Sequence, residues 1–89
     1  MITVQFTSNI QRHVSCPTQT VSGKTLKEVL DRVFENLPEA KGYVLDDHNA
    51  VRKHIVIFIN GERIQDRVHL SDPIPENAEV YIFQALSGG

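Results

Sequence analysis

Thr25, Leu26, Lys27 and Glu28 form a capping box, in which the Thr25 hydroxyl can accept from the Glu28 N–H while the Glu28 carboxylate reaches back. Leu26, Val29, Leu30, Val33 and Leu37 then recur at steps of three and four, with Phe34 beside them, until Pro38 removes a donor and ends the pattern. This helix has one apolar stripe, and no second helix of comparable length is visible in the 89 residues. The stripe must therefore lie on a sheet, which excludes a helix bundle and predicts a sheet crossed by one main helix.

The strands of that sheet can be read on either side of the helix. Ile2, Val4 and Phe6 alternate with Thr3, Gln5 and Thr7, the period of two of a half-buried strand. Ser8-Asn9 offers a turn, and Ile10 to Ser15 is read as a returning strand, interrupted at Cys16-Pro17 and resuming near Thr20-Val21. Pro17 has no N–H, so this strand belongs at an edge or carries a bulge. Periodicity fails from Glu39 to Lys53, where Asp46 to Asn49 reads as a solvated turn. His54 to Ile64 reads as a strand closing on Asn60-Gly61, a pair suited to the positive φ angles of a tight hairpin. The prolines at 73 and 75 stiffen a connection to a last strand, Ala78 to Gln84.

A chain of this length is one domain with a modest core, a size that suits a carrier, adaptor or binding module better than an enzyme. A formal net charge of −2 and scattered basic residues argue against nucleic acid or an anionic membrane as partner. Cys16 is the only cysteine and has no internal partner. With no secretory core and no long apolar run, a cytoplasmic location is expected.

The last strand runs without a linker into Ala85, Leu86, Ser87, Gly88 and Gly89. A glycine pair leaves the α-carboxylate of Gly89 on a stalk without Cβ atoms, able to enter a crevice that side chains would block. Ordering such a stalk is costly, so a partner must supply that free energy on binding. The division expected is a folded unit over residues 1–84 and a flexible tail over residues 85–89.

The capped helix at Thr25, the strand and turn Ile57 to Glu62, and the ending Glu79 to Gly89 together resemble a β-grasp domain, an α+β fold with a mixed sheet of four to five strands. More narrowly, the chain is similar to the ThiS/MoaD-type sulfur carriers among ubiquitin-like proteins, and Val51 to His54 leading into the strand resembles the longer carriers of cysteine synthesis. The stretch Gln84 to Ser87 departs from relatives that place proline or valine before the glycines, a difference that concerns the recipient enzyme. The resemblance implies no catalysis by the chain itself. An E1-like enzyme, holding ATP and magnesium, adenylates Gly89; sulfur then replaces AMP to give a thiocarboxylate, which a sulfur-accepting synthase consumes. Cysteine synthesis is the first expectation and molybdopterin synthesis the second, with a JAMM-type metalloprotease as a further partner that trims the tail. The alternative is a ubiquitin-like modifier in which a lysine amine meets the same activated Gly89. A third reading is a non-covalent adaptor that needs only a sheet face.

That face is predicted from strand register. Ile55, Ile57, Ile59, Val80 and Ile82 occupy one register, and Val56, Phe58, Tyr81 and Phe83 the other, yet the helix covers a single side. The expectation is that Phe58, Tyr81 and Phe83 face outward beside the tail as a docking patch, unless the segment from Glu39 to Lys53 folds over them. Other constellations carry less. Cys16 reads as an inert thiol, and His13, His48, His54 and His69 lack metal-ligand spacing. Arg52, Lys53 and His54 read first as a solvated basic edge that repels wrong strand pairing, with contact to an acidic partner as the alternative, and Asp66, Arg67 and Glu76 as surface charges.

Overall fold

The structure, a computed structural model, describes residues 1–7, 10 and 16–84. Five strands form one mixed sheet: β1 (Ile2–Phe6), β2 (Gln19–Val21), β3 (Ile55–Ile59), β4 (Glu62–Arg63) and β5 (Glu79–Gln84), in the order β2-β1-β5-β3-β4. The first and last strands lie parallel at the centre, Val4 opposite Val80, and the other pairings are antiparallel. Parallel neighbours cannot be joined by a hairpin, so everything between β1 and β5 serves as the crossover.

Helix α1 (Leu26–Asn36) supplies the covering layer. Its start is the capping box in slightly shifted form: the Glu28 N–H donates to Thr25 Oγ1 at 3.3 Å, and the Glu28 carboxylate accepts from the N–H of Lys24 at 3.2 Å. Leu26, Val29, Leu30, Val33 and Phe34 are buried against Ile2, Val4, Phe6, Ile57, Val80 and Ile82 from the sheet. Each such side chain taken fully from water contributes roughly 1.5–3 kcal/mol, so this one layer carries most of the fold. Helix α2 (Pro38–Val44) follows at once, with Leu37 serving as C-cap of one helix and N-cap of the next.

Two expectations change. The first helix does end at Asn36, before Pro38, but helical structure resumes at once where the sequence predicts an aperiodic segment: Pro38 sits in the first turn of α2, where a missing N–H costs nothing. The segment after it reads as irregular because seven residues offer only Ala40 and Val44 as a buried pair. The returning strand placed over Ile10 to Ser15 also fails where it can be judged, since Ile10 has helical backbone and is buried. Residues 11–15, like the turn at Ser8-Asn9, lie outside the described residues. The strand proper is Gln19–Val21, at the sheet edge, as Pro17 requires. The hairpin at Asn60-Gly61 is as expected, with φ of 50° and 85°.

Asp66 and Arg67, read as surface charges, are structural. The Asp66 carboxylate accepts from the N–H groups of Val68, His69 and Ser71 and from the Ser71 hydroxyl. Asp72 in turn accepts from the N–H groups of Gln65 and Asp66. Two carboxylates thus satisfy a connection that has no regular secondary structure to pair its donors. Arg67 donates through Nη2 to the carbonyls of Arg52 and Ile55, at 2.7 and 2.6 Å.

Candidate functional site

Antiparallel pairing of β3 with β5 puts Phe58 opposite Tyr81 and Val56 opposite Phe83, all on the sheet face away from α1. Cross-strand partners share a face, so the register that buries Ile57 and Ile82 forces this set outward. The Phe58 and Phe83 rings stand 5.1 Å apart at 51°, and Tyr81 meets Phe83 edge-on at 6.1 Å. Tyr81 and Phe83 remain 39% and 38% exposed, and Phe58 is half-buried beneath them. Offset and edge-to-face rings of this kind hold one another in place.

The segment from Glu39 to Lys53 does not cover this face. Ala40, Val44, Leu45 and Val51 go instead into the core beneath α1. The outward face therefore presents apolar surface where a polar one would have served solubility, the usual mark of an interaction site. Arg63 lies across from Phe58 on the same face, and Glu79 lies at its β1 side opposite Thr3.

β5 ends at Gln84, directly opposite Ile55, and there the chain passes into residues 85–89. Leu86, Ser87, Gly88 and Gly89 lie outside the described residues. Tyr81 and Phe83 thus share β5 with the root of the tail, Phe83 standing two residues before Ala85, while Phe58 joins them from β3.

Elsewhere the chemistry is quiet. Cys16 is buried, and burial pushes its thiol up from 9.0, away from the reactive thiolate. Among the described residues no group of three or more His, Cys, Asp or Glu is placed to hold a metal ion, and no helix is long and apolar enough to cross a membrane. A cleft of about 750 Å³ lies between Gly23, Arg32 and Ile74, where Arg32 donates to Ser22 and the Glu28 carboxylate accepts from the backbone N–H of Lys24.

Sequence reading missed the position of Arg52, Lys53 and His54. They immediately precede β3 and so sit beside the end of β5, a neighbourhood set by non-local pairing that no local pattern reveals.

Comparison with known proteins bears on this geometry. The profile of the ThiS family matches residues 10–89. No curated protein is similar enough to count as a match. Among solved structures, the CysO complex with BexX from Amycolatopsis orientalis is similar at 19% identity, with 100% of each chain covered and a TM-score of 0.83. CysO of Mycobacterium tuberculosis is 20% identical over 97% of this chain and 100% of that one, with a TM-score of 0.80. SAMP1 of Haloferax volcanii is 22% identical over 99% of this chain and 98% of that one, with a TM-score of 0.79. At these identities the likeness shows a shared ubiquitin-like β-grasp fold.

Proposed function

The chain belongs to the ThiS family, and from that membership we propose that it is a sulfur carrier acting through the carboxyl group of Gly89. The observation that carries the reading is the continuity of β5, which bears Tyr81 and Phe83 on its outward face, with the segment that closes on Gly88-Gly89.

The chemistry follows from the carboxylate. Its charge and resonance make it a poor electrophile, so it needs a better leaving group before a sulfur nucleophile can attack. In the proposed sequence a Gly89 oxygen attacks the α-phosphorus of ATP and pyrophosphate departs, leaving an acyl adenylate. Hydrosulfide then supplies the electron pair of a new C–S bond, AMP leaves with the pair of the broken C–O bond, and loss of a proton gives the thiocarboxylate. The activating E1-like enzyme holds ATP and magnesium and brings the catalytic groups; this chain brings the acyl group and a surface to dock by. Phe58, Tyr81 and Phe83 are that surface, and the recipient is a sulfur-accepting synthase, of cysteine synthesis first and of molybdopterin synthesis next.

The test is adenylation by the cognate activating enzyme with ATP and magnesium. The intact chain should support pyrophosphate exchange and form an acyl-AMP on Gly89, whereas a chain lacking Gly88-Gly89 should not. Exchange by the shortened chain would overturn the proposal.

A second reading, conjugation of Gly89 to lysine amines, is supported by the likeness to the small archaeal modifier protein 1. It shares the acyl adenylate and differs only in the nucleophile, so isopeptide-linked products in the native cell separate it from sulfur transfer.

A further inference from the structure

Resting on the carrier reading above, we infer that the turn Arg52 to Ile55 is a preformed cationic contact for an acidic rim on the activating enzyme, beside the opening that receives the tail. The turn is closed by the Ile55 N–H donating to the Arg52 carbonyl at 3.0 Å, which puts Lys53 and His54 at its tip. Both are exposed, and among the described residues neither has a hydrogen-bond or ion-pair partner.

The tip is held from behind rather than left loose. The Val51 N–H donates to the Arg67 carbonyl at 2.8 Å, and the Arg52 N–H to the Val44 carbonyl at 2.9 Å. Arg52 Nε reaches the Gly42 carbonyl at 2.7 Å, while the Arg67 guanidinium spans the carbonyls of Arg52 and Ile55. All these acceptors are neutral carbonyls, so the Arg67 charge adds to that of Lys53, while the Asp46 carboxylate interacts with Arg52 and offsets part of its charge. Lys53, Arg67, the remaining charge of Arg52 and an imidazole thus gather on a chain whose formal net charge is −2. A protein of that net sign is not drawn to polyanions in general, and its local positive spot is matched by a discrete acidic patch on a partner.

Register says which partner. Ile55 is paired with Gln84, so the cationic tip flanks the point where the chain enters its last five residues. Five residues reach at most about 17 Å, so an enzyme that grips Gly89 brings its surface close to Lys53 and His54. The tip also adjoins the outward face, since Val56, next in β3, is paired with Phe83. The two surfaces are continuous, aromatic in the middle and cationic at the tail side.

Rim charges change encounter and its salt dependence more than the chemistry that follows. The experiment measures pyrophosphate exchange by the cognate activating enzyme on the intact chain, on Lys53→Glu and on Lys27→Glu, at low and high ionic strength. Lys27 lies on the solvent side of α1, where its partner is Asp31 at 3.0 Å, so it controls for net charge alone. The expected result is a KM about three- to tenfold higher for Lys53→Glu at low salt, shrinking as salt rises, with kcat unchanged and Lys27→Glu like the parent. Equal KM values for Lys53→Glu and the parent at all salt concentrations, or an equal loss in Lys27→Glu, overturn the inference while leaving the carrier reading intact. No exchange with the parent chain overturns the carrier reading, and the inference with it.

Discussion

Phe58 and Phe83 hold their rings 5.1 Å apart on the sheet face that neither α1 nor α2 covers, one on β3 and the other on β5 just before the chain leaves the sheet. The pair costs solvation and contributes nothing to the buried core, which is the physical reason for assigning it to a partner. Replacing Phe83 with aspartate should cost about 1 kcal/mol through the lost ring contact, leaving a cooperative thermal transition. The same change should lower kcat/KM for adenylation by about tenfold or more, as truncating a central aromatic anchor does. Parental turnover by a folded Phe83→Asp chain would remove the aromatic face from the account.

Gly23 and Gly42 should respond oppositely to alanine. A Cβ on Gly23 would lie 2.8 Å from Val29 Cγ2 and 3.1 Å from the Val29 backbone N, so the first turn of α1 must shift; a loss of about 1–3 kcal/mol is expected. A Cβ on Gly42 meets nothing within 4 Å, and alanine there should stabilise α2 by about 0.5–1 kcal/mol. Urea denaturation of both variants checks the signs, and a stabilised Gly23→Ala contradicts the packing described.

The Asp66 carboxyl is held at about 2, below its ordinary 3.8, chiefly by the Ser71 hydroxyl and then by the His69 N–H, with the N–H groups of Ser71 and Val68 adding to them. Because the folded value is the lower one, this stabilisation is complete above the unfolded value and is lost as pH falls through about 2. Asp66→Asn should therefore be less stable than the parent near neutral pH, and the gap should narrow as pH falls below the ordinary carboxylate range. A gap of constant size across that fall would show that the carboxylate charge does not hold the connection.

The elements with strong local signals were legible in the sequence, and the non-local ones were not. Thr25 and Glu28 mark a helix start, and Asn60-Gly61 marks a hairpin, because each is a contact between near neighbours. Alternation within β3 and β5 also fixed which aromatics share a face once one register was buried. By contrast α2 is too short for its two buried residues to form a pattern, and Pro38 reads equally as a stop or a start. Asp66 looks like any exposed carboxylate until Ser71 folds back onto it. The adjacency of Lys53 and His54 to the root of the tail depends on pairing residues 29 apart, Ile55 with Gln84, and no window of sequence contains it.

The central claim is that Gly89 lends its carboxyl group to sulfur. Intact-mass spectrometry of the protein recovered from its native cell reads this directly. A carrier should show a species heavier by about 16 Da, one oxygen replaced by sulfur, with the change confined to the C-terminal peptide. A population carrying only the ordinary carboxylate under conditions of sulfur demand, or Gly89 found solely in isopeptide linkage to lysine, would contradict it.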